Sequence, residues 1–139
     1  MKNFTVKKEQ QCLELSCNLE EFEKIKECIF GLPVNIGIKK KIYLVCDEIF
    51  SNITNYSGAD HVQFCCNKNG NKVNVIFTDN GKIFNPLESK SEKNFEDFDT
   101  GGMGIMLVKE LCSNVSYSNQ DGKNVLILEF TDCVNNESI

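Results

Sequence analysis

At 139 residues, the chain has the length of one ordinary domain. Its apolar fraction of 41% and charged fraction of 25% are typical of a soluble globular protein, which argues against disorder as its general state. With a net charge of -5 and no basic tract longer than Lys39-Lys40-Lys41, the sequence also argues against nucleic-acid binding, because phosphate recognition needs clustered Lys or Arg.

The eight cysteines are predicted to be mostly small core residues rather than metal ligands or a disulfide framework. The N-terminal residues contain no apolar signal segment, so we expect a cytoplasmic chain, in which thiols stay reduced. No two cysteines have the C-x-x-C spacing of metal ligands, and the adjacent Cys65 and Cys66 would point to opposite faces of a strand. No apolar run approaches the ~20 residues of a membrane span.

The first part of the chain predicts one strand and two helices. Residues 11–16 alternate weakly as a strand, and Asn18 with Glu21 has the spacing of a capping box before a helix that ends at Gly31. From about residue 36 to 56, apolar residues recur with the helical period and predict a long helix with one buried stripe. The stripe consists of Ile38, Ile42, Val45, Cys46, Ile49 and Ile53.

Two hairpins, a polar segment and a third helix complete the predicted elements. Strands over 61–68 and 72–79 flank Asn69-Gly70-Asn71, and strands near 114–118 and 125–130 flank a turn with Asp121-Gly122. Between them, residues 80–101 are polar, acidic and aperiodic, as functional or disordered loops are, and a helix follows over about 102–112. This order predicts a single α+β domain with helices on one face of a mostly antiparallel, mixed sheet.

Three sequence features could carry chemistry, and the first is a polar stripe on the long helix. Glu48, Asn52 and Asn55 are spaced i, i+4 and i+7, so they share one helix face beside the apolar one. This pattern fits an ordinary solvated face. It also fits a wall that offers a proton acceptor and a metal-binding carbonyl oxygen.

The second feature is Asp79-Asn80-Gly81 at the end of a predicted strand. These residue types form turns, because Asp and Asn bond to nearby backbone and Gly accepts unusual dihedral angles. The functional alternative is that Asp79 accepts a hydrogen bond from an exocyclic amine, while Gly81 leaves room for a flat ring.

The third feature is the run from Thr100 to Gly104, with glycines at 101, 102 and 104, before the third helix. Such a run is either a hinge or a phosphate site, since backbone N–H groups at a helix N-terminus attract anions. Gly104 lies within the first turn, where glycine costs ~1 kcal/mol, and this favours a close approach to the backbone.

In order and spacing, these features resemble the motif boxes of the GHKL ATPase superfamily. Asp47 to Asn52 is similar to the N box, Asp79-Asn80-Gly81 with Phe84-Asn85-Pro86 to the first glycine box, and Gly101 to Ile105 to the second. The likeness covers nearly the whole chain. It is greatest to the bacterial anti-sigma factor serine-protein kinases and their stand-alone histidine-kinase-like ATP-binding relatives. It implies the Bergerat fold, a two-layer α/β sandwich.

The resemblance assigns expected roles to particular residues. Asn52 would bind Mg²⁺ through its side-chain oxygen, Glu48 would be the catalytic base, and Asp79 would bond the adenine amino group beside Gly81. The acidic segment, about residues 87–101, would form a lid over ATP. The other residues expected to bind the nucleotide are Asn55, Phe84, Thr100, Gly101, Gly102, Met103 and Gly104.

The leading functional hypothesis is a serine-protein kinase that phosphorylates a small anti-sigma factor antagonist of the STAS type and also binds a sigma factor. The alternative is a nucleotide-gated regulator with little or no catalysis, because Met103 stands where such kinases often carry a basic residue. A third alternative is the ATPase domain of a larger GHKL machine. We expect homodimerisation from the likeness, and we expect His61 to be a surface strand residue rather than a phosphoacceptor.

Overall fold

The computed structural model describes residues 10–83 and 103–132, with the side chains of 103–105 left out of the description. These residues form five strands, three α-helices and two short helical segments of other types. The strands are β1 (Gln10–Ser16), β2 (His61–Asn69), β3 (Lys72–Asp79), β4 (Asn114–Gln120) and β5 (Lys123–Thr131). The α-helices are α1 (Phe22–Phe30), α2 (Ile36–Asn52) and α3 (Met103–Leu111). A 3₁₀ turn over Leu19–Glu21 precedes α1, and a π-helix over Ile53–Ser57 continues α2.

The strands form one sheet in the order β1-β2-β3-β5-β4, and every described pair is antiparallel. Alternate residues of β3 and β5 are buried, as a sheet covered on one face requires. These residues share one core with the apolar stripes of α1 and α2. The predicted α+β fold, with helices on one face of a mostly antiparallel sheet, is therefore confirmed. The expectation that the sheet is mixed is wrong for the described strands, because no pair among them is parallel.

Local sequence signals explain where the elements begin and turn. Asn35 caps α2 by accepting a hydrogen bond from the Ile38 amide at 3.1 Å. The predicted capping box is only partly right: Asn18 caps the Glu20 amide, and the Glu21 carboxylate reaches the Ser16 amide instead. In the first hairpin Asn69 already pairs with Lys72, so the two turn residues are Gly70 and Asn71.

The long helix changes its winding at its C-terminal end. After Asn52 the α-helix becomes a π-helix, in which hydrogen bonds span five residues rather than four. The Ser57 hydroxyl donates to the Ile53 carbonyl at 2.8 Å, a contact that competes with regular helix bonding. Gly58 then ends the segment with a φ of 74°, the left-handed conformation common after helices. Single-turn π-helices are frequent at functional sites, and this one directly follows Asn52.

The prediction for the cysteines is right for the core and wrong for one pair. Cys28, Cys46 and Cys66 are buried, and burial raises the pKa of the Cys46 thiol well above its usual value, so this side chain stays a protonated core residue. Cys12 and Cys65, however, form a disulfide between β1 and β2. They are cross-strand partners in the sheet register, a proximity that spacing along the chain could not reveal. Within 10–83 and 103–132, no group of His, Cys, Asp or Glu has the arrangement of a metal site.

Among the helices that the structure describes, none combines the length and the apolar character needed to cross a membrane.

Candidate nucleotide site

A cavity lies between the end of α2 and the inner face of the sheet. Its volume is about 300 Å³, including open solvent at its mouth. The lining is apolar apart from a few side chains, as small-molecule sites usually are. The residues that line it are Ile49, Asn52, Ile53, Asp79, Tyr117, Asn124 and Leu126. Asn52 and Asp79, which the sequence separates by 27 positions, thus share one cavity.

Asp79, the last residue of β3, supplies the carboxylate of this cavity and is only 5% exposed. Its Oδ1 accepts hydrogen bonds from the Gly81 amide at 2.8 Å and from Asn124 Nδ2 at 3.1 Å. These two donors offset the cost of burying a charge. Because both hydrogen bonds go to Oδ1, Oδ2 keeps its accepting capacity for a donor on a ligand. This geometry leaves an acceptor free for the predicted bond from an exocyclic amine, and that role of Asp79 stays a prediction.

Asn124 and Tyr117 belong to the cavity although the sequence did not single them out. Asn124, on β5, is the cross-strand partner of Asp79 and is 4% exposed. Tyr117, on β4, donates its hydroxyl to Asn124 Oδ1. The sequence does contain an indication of this role. Asn124 lies on the same face of β5 as the buried Leu126 and Leu128, and a polar side chain on a buried face needs hydrogen-bond partners.

Gly81 is held against the end of the π-helix by close backbone packing. A Cβ atom at this position would lie 2.5 Å from the Ser57 carbonyl oxygen and 2.6 Å from Ser57 Oγ. In addition, the Lys82 amide donates to the same carbonyl oxygen at 2.9 Å. The missing side chain of Gly81 therefore makes room for Ser57. The predicted role of Gly81 beside a flat ring stays a prediction.

Asn52 and Glu48 lie one helical turn apart and contact each other. Asn52 Nδ2 donates to Glu48 Oε2 at 3.3 Å, which leaves Asn52 Oδ1 as the atom suited to a hard cation. Partial burial, with a smaller effect from Asp47, raises the pKa of the Glu48 carboxyl, although the bond from Asn52 opposes this shift. A carboxylate with a raised pKa is a better proton acceptor near neutral pH.

The remaining predicted site residues fall into two groups. Asn55 lies in the π-helix, is exposed and does not line the cavity, because the wider turn rotates it away from the line of Glu48 and Asn52. Its role as a nucleotide contact stays a prediction, as do those of Met103 and Gly104, which begin α3. The expected lid over 87–101 lies outside the described residues, together with Phe84, Thr100, Gly101 and Gly102.

The donor set fits a nucleotide with its metal ion. A carboxylate acceptor in an apolar cavity suits a purine ring with an amino group, and an amide oxygen at the same cavity suits Mg²⁺.

Solved structures of histidine kinases have a similar fold. The blue-light activated histidine kinase EL346 of Erythrobacter litoralis aligns with a TM-score of 0.58 and 14% sequence identity, over 85% of this chain and 42% of that protein. The histidine kinase AdeS of Acinetobacter baumannii aligns with a TM-score of 0.54 and 15% identity, over 88% of this chain and 68% of that protein. The chain thus spans less than half the length of the first protein. Comparison with curated protein sequences found no match.

The fold is that of the histidine kinase-like ATPase domains of the GHKL class. A family profile described as histidine kinase-like ATPase domain matches residues 20–130. This range includes the three motif boxes and strands β2 to β5 except Thr131, and it leaves out β1. The chain belongs to this family.

Proposed function

We propose that the chain binds Mg-ATP in this cavity and acts as an ATP-dependent serine-protein kinase of the anti-sigma factor type. The observation that carries the proposal is that Asp79 and Asn52 line one cavity, with Glu48 hydrogen-bonded to Asn52. The substrate would be a serine of a small STAS-type antagonist protein, and a sigma factor would be a second partner. A homodimer is part of the same proposal.

In this mechanism each residue has a distinct task. Asp79 would orient the base, and Asn52 would hold Mg²⁺ through Oδ1. ATP would supply the phosphoryl group. Glu48, whose carboxyl has a raised pKa because of partial burial, would accept the proton of the attacking serine hydroxyl. Positive charge around the phosphates would come mainly from the metal ion, because no basic side chain lines the described cavity.

Phosphotransfer from labelled Mg-ATP to a purified STAS-domain antagonist tests the proposal. We expect Glu48→Gln to reduce transfer by about 10²-fold or more, the usual contribution of general base catalysis. Glu27→Gln changes an exposed carboxylate on α1, away from the cavity, and should transfer label as the unchanged protein does. Equal transfer by the Glu48→Gln and Glu27→Gln variants would remove Glu48 from the mechanism.

The metal assignment has its own test. Calorimetric titration of ATP with and without Mg²⁺ should show that Asn52→Ala loses most of the Mg²⁺-dependent affinity. Asn74→Ala serves as the comparison because Asn74 lies on the face of β3 opposite Asp79 and outside the cavity lining. If Asn52→Ala keeps the Mg²⁺-dependent affinity as fully as Asn74→Ala does, the metal ligand is not Asn52.

A nucleotide-gated regulator without catalysis is the second candidate. The presence of Met103 at the start of α3, where such kinases often have a basic residue, favours it. In this case ATP would change the affinity for the antagonist protein, while no label would be transferred.

A further inference from the structure

Asn124 lies at the centre of a hydrogen-bond network that joins three neighbouring strands. Its Nδ2 donates to Asp79 Oδ1 at 3.1 Å and to the Lys82 carbonyl oxygen at 2.9 Å. Its Oδ1 accepts from the Tyr117 hydroxyl and, at 3.4 Å, from Asn119 Nδ2. The side chain thus contacts both ends of the turn that follows β3.

An amide is suited to this position because it donates and accepts at the same time. A carboxamide nitrogen has two protons, so it can bond a carboxylate and a carbonyl oxygen together, which a single hydroxyl cannot do. The amide is oriented by Asp79 Oδ1 and the Lys82 carbonyl oxygen, because both only accept hydrogen bonds and so require Nδ2 on their side. The Tyr117 hydroxyl donates to Oδ1 on the other side. The reversed orientation would place Oδ1 against two other acceptors.

We propose that Asn124, which is bonded on its other side by Tyr117, is a positioning residue that holds Asp79 Oδ1 and the Asp79–Lys82 turn, so that Oδ2 is presented to the amino group of an adenine base. The inference rests on the proposed function for the ligand, while the positioning of the turn can be measured without one. A fixed acceptor favours a 6-amino purine over a 6-oxo purine, because the oxo group has no proton to donate.

The first test needs no nucleotide. Amide hydrogen exchange at Gly81, whose N–H donates to Asp79 Oδ1, reports whether the turn is held. In Asn124→Ala, exchange at Gly81 should rise by about 10-fold or more relative to exchange at Phe64 in the sheet core. The matched control is Asn74→Ala, which removes an amide from the opposite face of β3. If the ratio of Gly81 to Phe64 exchange is the same in Asn124→Ala, Asn74→Ala and the unchanged protein, the proposal is overturned.

The second test measures nucleotide selectivity. Asn124→Ala should weaken ATP binding by about 10-fold and reduce the preference for ATP over GTP, and Tyr117→Phe should weaken ATP binding by a few-fold. Unchanged ATP and GTP affinities in both variants would overturn the role in base recognition. If the unchanged protein binds neither nucleotide but Gly81 exchange still rises in Asn124→Ala, the positioning role stands and only the proposed function fails.

A third variant separates positioning from a merely structural role. Asn124→Asp places a second carboxyl group beside Asp79, and the titratable side chains that line the cavity are Asp79 and Tyr117. Two carboxylates in contact share a proton, so one of them stays protonated to a raised pH and can donate to the other. ATP affinity of this variant, relative to the unchanged protein at each pH, should therefore recover as pH falls from about 8 to about 5.5. A constant ratio across this range would contradict the positioning role.

Discussion

Replacing Gly81 with alanine is the sharpest test of how the turn after β3 is built. The added Cβ would lie 2.5 Å from the Ser57 carbonyl oxygen, 2.6 Å from Oγ and 2.7 Å from Ser57 Cβ. Ser57 cannot easily move away: it is 2% exposed, its hydroxyl bonds to Ile53, and its carbonyl oxygen accepts from Lys82. The turn must therefore shift by roughly 0.5–1 Å to reach ordinary contact distances.

The magnitude follows from overpacking. Forcing extra atoms into a packed site lowers the free energy of unfolding by about 1–3 kcal/mol. Because Gly81→Ala creates three short contacts at once, one of them with backbone, we expect a loss of about 3 kcal/mol. The same shift moves the Asp79 carboxylate, so ATP affinity should fall by about 10-fold or more. Chemical denaturation gives the free energy of unfolding, and calorimetry gives the affinity.

Two further variants make the interpretation specific. Gly70→Ala places alanine at a φ of 66° with no atom within 4 Å, so it should cost about 1–2 kcal/mol from backbone conformation alone and leave ATP affinity unchanged. Ser57→Gly removes two of the three short contacts, so it should restore part of the stability lost in Gly81→Ala, and the double-mutant cycle should show a coupling energy. A Gly81→Ala protein within about 0.5 kcal/mol of the unchanged protein would refute this account of the packing.

Three other predictions concern the carboxylates and the disulfide. Asp79→Asn should keep Oδ1 bonded to Gly81 and Asn124 but put an amide nitrogen in place of Oδ2. Calorimetry should therefore show ATP affinity reduced about 10- to 150-fold. An unchanged affinity would contradict the role of Oδ2. The raised pKa of Glu48 means that its ionised form destabilises the fold above that pKa, and that this penalty vanishes as pH falls below the ordinary value of 4.5. Glu48→Gln should therefore raise Tm slightly at neutral pH and leave it unchanged at about pH 4; the opposite order would exclude burial as the cause. The Cys12–Cys65 disulfide joins residues 53 apart in sequence, so Cys12→Ser should lower the free energy of unfolding in denaturant by up to about 4 kcal/mol. Cys17→Ser, which changes a free thiol, should alter it little. Equal effects of the two substitutions would argue that the Cys12–Cys65 bond does not constrain the unfolded chain.

The fold could be predicted because each element carries its own local signal. The apolar stripe from Ile38 to Ile53 has the helical period, and six of its members are buried as that period requires. Gly70 and Gly122 both adopt positive φ in the hairpin turns that their neighbours indicated. Such signals depend only on residues close together along the chain.

The site could be predicted only in part, because its contacts join residues far apart along the chain. Asn52 and Asp79 were found through their motif context, and both line the cavity. Asn124 could not be paired with Asp79 from the sequence, because the two residues are 45 positions apart and become neighbours only through the pairing of β3 with β5. The sequence from 53 to 57 does not distinguish the π-helix from a continued α-helix, so the exposed position of Asn55 outside the cavity lining could not be predicted.

The strand order has a consequence for how the domain forms during synthesis. β5 is the last described strand to leave the ribosome, yet it lies inside the sheet, between β3 and β4. Until residue 131 has emerged, β3 has an unpaired edge, β4 has no neighbour, and Asp79 has no bond from Asn124. An exposed strand edge invites pairing with other chains, so a nascent chain that pauses before β5 is prone to aggregate. The bond between Asn124 and Asp79 and the protection of the β3 edge thus arise in the same late step.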